Sequence, residues 1–298
     1  MKILLFGKDG QLGSELRRSL APLGELVVLN AASREHCGDL VNLSGISESV
    51  LSIRPRIVVN AAAWTDVDKA EASTETVRCI NALAPAKMAQ AAQKVGAVML
   101  HFSSDYVFDG SGKRAWSEGD NARPLSVYGR SKLKGDLLVA ANCENHLIFR
   151  TSWLYSARAT SFAARILRQA CAGSDVAVVD DQIGAPTGAD WVADMAALAL
   201  RQVAQNRDIS LFGVYHLAAG GYTSWYGYAR FLVECAELAG RAPKTGSEFI
   251  RAVSSKEYPS VASRPHNSRL DTTKFCAAFE QVCPPWQDGV VRLVKELK

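Results

Sequence analysis

The chain has 298 residues, 48% of them hydrophobic and 21% charged, with a formal net charge of +4. That composition supplies enough apolar surface for a sizeable core and excludes disorder as the main state. The charge is modest and not gathered in runs, which gives no case for nucleic acid or a membrane surface as a partner.

Seven cysteines are scattered without a Cys-x-x-Cys pair. This fits free thiols in a reducing compartment, not a disulfide frame or a zinc site. The five histidines add no metal-ligand spacing. The amino-terminus runs straight into a strand pattern with no signal-type region, and no apolar stretch approaches membrane-spanning length. The expected location is cytoplasmic.

Residues 3–6 form a short apolar run ending at glycine, and 11–21 show helical periodicity. Residues 26–29, 56–60 and 97–102 are the next strand candidates. Between the last two, 67–95 is Ala-rich and reads as helix, with Pro85 expected to kink it or begin a new turn. A helix from 128 to about 141 and a strand at 146–150 follow. Alternation of this kind predicts a parallel sheet covered on both faces. Beyond 150, short strands at 176–179 and 214–217 interleave with helices at 161–172, 189–205 and 223–239. The expected class is α/β: a Rossmann-type doubly wound parallel sheet over residues 1–150 that binds the cofactor. A smaller C-terminal α/β substrate lobe over 151–298, interleaved with the first domain, closes over a cleft.

Gly7, Gly10 and Gly13 punctuate the turn after the first strand. Glycines there permit a tight turn and close backbone approach to a pyrophosphate, which would sit at the positive end of the helix starting near Gln11. Cofactor choice is read at the end of the second strand, where an acid bonds the ribose hydroxyls and repels a 2′-phosphate. This chain has Asn30 there and Arg34 close behind. NADP(H) is therefore the expected cofactor, with NAD(H) as the alternative. Asp39, followed by Leu40, could hold the adenine amino group; a loop carboxylate or helix cap is the other reading.

The strand at 98–102 delivers Ser103, Ser104 and Asp105 at its C-terminal end, where such sheets bind ligands. Ser103 reads as turn chemistry. Tyr128 and Lys132 are four apart, so a helix stacks them on one face. A neighbouring ammonium is expected to lower the phenol pKa from near 10. Tyr128 could then protonate a carbonyl oxygen as hydride reaches the carbon, with Ser104 hydrogen-bonded to the same oxygen.

Across nearly its whole length the chain resembles the extended short-chain dehydrogenase/reductases. The resemblance rests on Gly7–Gly13, residues 59–63 and 67–71, Ser104-Asp105-Tyr106-Val107-Phe108, and residues 124–132. It continues through 150–155, 182–188 and 263–270. The later motifs point to the branch that reduces a dTDP-linked 4-keto-6-deoxy sugar to dTDP-L-rhamnose. By that resemblance Tyr128 is the proton donor, and Lys132 tunes it and binds the nicotinamide ribose. Val67, Asp105 and Trp153 contact the sugar nucleotide beside Ser104. Gly7, Gly10, Gln11, Leu12, Gly13, Ala62, Ala63, Thr65 and Phe102 line the cofactor. Relatives often carry His at the place of Trp64, Asp at that of Asn30, and threonine at that of Ser104.

Some members of the family dimerise through Mg²⁺ bridged by acids at the places of Glu15, Asp190 and Asp194. A homodimer of that kind is one expectation; solvated carboxylates on an exposed helix face are the other. Two further functions remain open at this stage. One is a sugar-nucleotide epimerase or dehydratase, which would keep the Tyr/Lys pair and regenerate a bound NAD. The other is a non-catalytic NADP-binding regulatory subunit.

Overall fold

The computed structural model describes residues 1–157, 161–206, 208–241, 243–258 and 260–297. The first half runs β1 (Lys2–Phe6), α1 (Gln11–Leu20), β2 (Glu25–Leu29), α2 (Leu43–Ile53), β3 (Ile57–Asn60), α3 (Val67–Ala72), α4 (Thr74–Arg78), α5 (Ala84–Val95), β4 (Val98–Ser104), α6 (Val127–Asn142) and β5 (His146–Thr151). The second half continues with β6 (Leu154–Tyr155), α7 (Phe162–Ala172), β7 (Ala177–Val179), β8 (Ile183–Gly184), β9 (Thr187–Gly188), α8 (Ala189–Asn206) and β10 (Gly213–His216). It ends with β11 (Thr223–Ser224), α9 (Trp225–Leu238), β12 (Arg251–Val253), α10 (Thr273–Phe279) and α11 (Trp286–Glu296).

Six strands form one all-parallel sheet in the order β10-β5-β4-β3-β1-β2. The chain moves outward from β1 to β2, then crosses back to β3 on the other side of β1. That reversal opens a crevice beyond the strand C-termini, the usual ligand position in such sheets. Period-two alternation explains why β1 is apolar throughout. Ile3 and Leu5 join a core with α1, α8 and α10, whereas Leu4 and Phe6 join one with α2, α5 and α6. The sheet is thus covered on both faces, as the alternation of elements predicts.

Residues 67–95 are not one helix. They break into α3, α4, a π-helical turn at Cys79–Leu83, and α5, with Pro85 in the first turn of α5. A proline is tolerated at that place because no hydrogen bond needs its missing N–H. The fourth strand also runs longer than expected. It reaches Ser104 and pairs with β5 as far as Thr151.

A second core gathers Tyr155, α7, α9, α11 and β7. The helices α8 and α10 and the strand β10, which follow residue 150, pack instead with the large sheet. Val107, Phe108, Ala185, Ala218 and Leu270 form a small apolar cluster of their own.

Candidate active site

The glycine turn joins β1 to α1. Gly7 sits at φ +88°, and a Cβ there would come within 2.7 Å of the Ala62 nitrogen. Only glycine satisfies both conditions. Gly10 caps α1 without a side-chain hydrogen bond, so the amides of the first turn face outward unclaimed by a cap. The Gln11 Oε1 is buried and has no partner. Free amides at the start of a helix fit a phosphate-bearing cofactor.

Ala62, Ala63 and Thr65 follow β3 on the other side of Gly7, and the Ala62 amide donates to Asn60 Oδ1 at 3.1 Å. Asn30 directly follows β2, while Arg34 lies exposed in the loop behind it. The Asp39 carboxylate accepts from the Val41 amide at 3.1 Å, a turn contact, and the Leu40 side chain is buried in the core.

Ser126 caps α6 by accepting from the Gly129 amide at 3.1 Å, and Glu71 accepts from the Val127 amide at 2.8 Å. These contacts fix the helix start, which puts Tyr128 in its first turn and Lys132 one turn later on the same face. The Tyr128 phenol lies near the Ser104 side chain. Burial pushes it up to about 12, helped by the carboxylates of Asp105 and Asp136 and opposed by the Ser104 hydroxyl. The expected lowering by Lys132 is therefore corrected: desolvation outweighs any ammonium effect. A phenol held protonated is the form that donates a proton.

Lys132 is buried and donates to the Phe102 carbonyl at 2.6 Å. Burial lowers its pKa to about 8, against the opposing pull of Asp136. Asp136 lies a further turn along α6, where it accepts from Arg150 Nε at 3.1 Å. Ser103 is a residue of β4 in register with Arg150 on β5, not turn chemistry. Asn81, in the π-helical turn, binds Trp64 through both its oxygen and its nitrogen and reaches Ser131 on α6 at 3.0 Å. Neither Asn81 nor Asp136 stands out in the sequence. The signal for Asp136 was its i+4 spacing from Lys132.

Asp105 is 2% exposed and accepts from the Ser104 hydroxyl at 3.0 Å, yet its Oδ2 has no partner. Desolvation raises its pKa to about 6, against the hydrogen bond from Ser104. An unpartnered buried carboxylate oxygen beside Ser104 is ready to accept from a ligand hydroxyl. Val67 opens α3, whose Asp68 accepts from Arg264 at 2.7 Å and from the Ala262 amide at 3.0 Å. Trp153 adopts φ +45°, uncommon for a residue with a side chain, and stacks on Trp225 with centroids 3.7 Å apart and planes 12° from parallel. Beside Trp225 opens a cavity of about 630 Å³ lined by Phe162, Arg165, Arg168, Gln182 and Arg264 among others. Arg165 and Arg168 line it with Arg264, whose charge Asp68 already meets, and the Asp175 carboxylate lines it too, which leaves a positive balance that suits an anionic ligand. Sequence reasoning missed Trp225 and these arginines, because nothing local marks them.

The acids Glu15, Asp190 and Asp194 all meet arginines within the chain. Asp194 accepts from Arg18 at 2.8 Å and from Ser19 at 2.6 Å. Arg18 also pairs with Glu15 at 3.5 Å, and Arg292 pairs with Asp190. Guanidinium cations already neutralise these carboxylates and would repel a second cation. Among the described residues no group of three acids, histidines or cysteines could hold a metal. Nor is any described helix long and apolar enough to cross a membrane.

The sequence matches the family described as the RmlD substrate binding domain over residues 1–298. It is 48% identical over 297 residues to the dTDP-4-dehydrorhamnose reductase of Escherichia coli K12, covering 100% of this chain and 98% of that one. The reductase of Salmonella typhimurium LT2 is 46% identical with the same coverage. A solved Bacillus anthracis dTDP-4-dehydrorhamnose reductase, in complex with NADP, superposes with a TM-score of 0.87 at 29% identity, covering 99% of each chain. A full-length match of this kind, on a fold that brings Ser104, Tyr128 and Lys132 together beside a glycine turn, places the chain in the RmlD substrate-binding-domain family.

Proposed function

We propose that the chain reduces the 4-keto group of dTDP-4-dehydro-6-deoxy-L-mannose to give dTDP-L-rhamnose, using NADPH. The observation that carries this reading is that α6 brings Tyr128 and Lys132 to the C-terminal end of β4, where Lys132 is bonded to the Phe102 carbonyl and Ser104 ends the strand. Its support from outside is the run of reductases alike over their full length.

NADPH, when bound, supplies the hydride to the carbonyl carbon. Tyr128 gives its proton to the carbonyl oxygen, and Ser104 orients that oxygen by a hydrogen bond. Lys132, pinned by the Phe102 carbonyl, would place a positive charge beside the nicotinamide ribose of a bound cofactor. The unpartnered Asp105 Oδ2 accepts from a sugar hydroxyl. Val67 and the Trp153 indole border the sugar, while Arg165, Arg168 and Arg264 meet the diphosphate. The first-turn amides of α1, with Gly7, Gly10, Gln11, Leu12 and Gly13, take the cofactor pyrophosphate. Seven free thiols suit a cytoplasmic setting for this chemistry.

The test is an initial-rate assay with the 4-keto sugar nucleotide and NADPH. One NADPH should be oxidised for each sugar reduced. Sugar turnover without cofactor consumption would instead indicate an epimerase or dehydratase.

A further inference from the structure

A carboxylate stands inside the glycine turn, and no role assigned so far uses it. Asp9 lies between Gly7 and Gly10, exposed, and its Oδ2 accepts a 2.5 Å hydrogen bond from the Asn30 Nδ2 at the end of β2. The orientation of the Asn30 amide follows from its other partners. Its Oδ1 accepts from the Ala32 amide at 3.1 Å and the Ser33 hydroxyl at 3.0 Å, which leaves the Nδ2 to face Asp9. The backbone closes the same joint: the amides of Gly7 and Lys8 both donate to the Leu29 carbonyl, at 2.9 and 3.2 Å. Asp9 is therefore fastened against the end of β2.

That end of β2 is where a doubly wound sheet reads the adenosine ribose. An acid there accepts from the 2′-hydroxyl and rejects a 2′-phosphate. Asn30 is neutral, so inspection of the strand alone removes the rejecting charge. The structure returns it from across the turn. We infer that Asp9, held by Asn30, is the residue that discriminates between the two nicotinamide cofactors. It accepts a hydrogen bond from the ribose hydroxyl of NADH and repels the 2′-phosphate of NADPH. Arg34, exposed in the loop beyond, acts in the opposite sense, so Asp9 narrows the preference for NADP(H) that Arg34 creates.

This assignment rests on the reading that the glycine turn binds a dinucleotide, and its test separates the two. Dissociation constants are measured by calorimetry for NADPH, NADH, 2′,5′-ADP and 5′-AMP, on the unaltered chain and on Asp9→Asn. The exposed position lets the variant fold, and its melting temperature checks this. A phosphate near neutral pH carries close to two negative charges, and removing a like charge beside it shifts the preference by about tenfold. Affinity for NADPH relative to NADH, and for 2′,5′-ADP relative to 5′-AMP, should both rise by that factor in Asp9→Asn, with the shift shrinking as salt is added. Ratios unchanged within about twofold, with binding retained, overturn the role of Asp9 alone, since that factor is under half a kcal/mol. If the unaltered chain binds none of the four ligands, the dinucleotide reading fails with it.

Discussion

Gly184 lies directly beneath the Trp153 ring: a Cβ built on it would come within 2.6 Å of the indole Cε2. The indole is thus held between the glycine and Trp225, in a backbone conformation that costs about 1–3 kcal/mol unless its surroundings enforce it. Gly184→Ala should tilt the ring off Trp225. The expected result is a rise of about tenfold in KM for the sugar nucleotide, the scale of one lost aromatic stack. Affinity for NADPH should be unaltered, because the glycine turn is formed by other elements. Steady-state kinetics with a parallel cofactor titration measures both, and an equal loss in the two would show that the lobe itself had shifted.

Tyr128→Phe removes the proton donor and keeps the ring. The turnover number should fall by about 10³, within the usual range for a general acid. NADPH binding should change little, and the melting temperature should hold, because Tyr128 contributes its ring to an edge contact with Tyr106 that phenylalanine preserves. Full activity in this variant would exclude the phenol as donor.

The pH dependence of kcat/KM follows from two perturbed groups. Lys132, lowered to about 8, is charged below that pH and loses its proton above it, so the rate should decline as pH rises through about 8. Asp105, raised to about 6, is ionised above that pH and protonated below it, so sugar binding should weaken as pH falls through about 6. The profile should be a bell with those limbs, and Asp105→Asn should abolish the acid limb only. Tyr128 stays protonated throughout, since its pKa is up at about 12.

Arg150 and Asp136 form a buried ion pair, 6% and 2% exposed, whose arginine also sits 5.4 Å over the Phe108 ring. Asp136→Asn leaves the guanidinium buried without a counter-charge. Breaking such a pair costs about 3–5 kcal/mol. Urea denaturation should show a loss in that range. Asp136→Glu, which keeps the charge, should lose much less; equal losses would mean that the fit matters more than the charge.

Chelation should have no effect. With Arg18 and Arg292 already paired to the acids at Glu15, Asp190 and Asp194, EDTA should leave both the reaction rate and the sedimentation coefficient as they were. A change in sedimentation on chelation, reversed by Mg²⁺, would contradict this.

The parts of the molecule that announce themselves in the sequence are those with local causes. Gly7 must take a positive φ, and Tyr128 and Lys132 need only helical spacing to share a face. Ile3 to Phe6 are apolar at every position because both sheet faces are covered. What stays hidden depends on distant partners. Trp225 matters because it meets Trp153, Arg264 because it meets Asp68, and Asp136 because β5 brings Arg150 against it. The phenol illustrates the difference most clearly. Its neighbour in sequence suggests a lowered pKa, whereas the tertiary burial that sequence spacing does not report raises it. The end of β2 likewise looks uncharged until the fold sets Asp9 beside Asn30.

The large sheet takes its sixth strand, β10, from the second half of the chain, and the rings around Phe149 include Tyr215, Phe275 and Phe279. During synthesis the first five strands therefore leave the ribosome well before the aromatic residues that cover β5. Until β10 emerges the outer edge of β5 is open for stray pairing, and until residue 279 emerges Phe149 has only part of its packing. Such a chain gains from being shielded while it is incomplete.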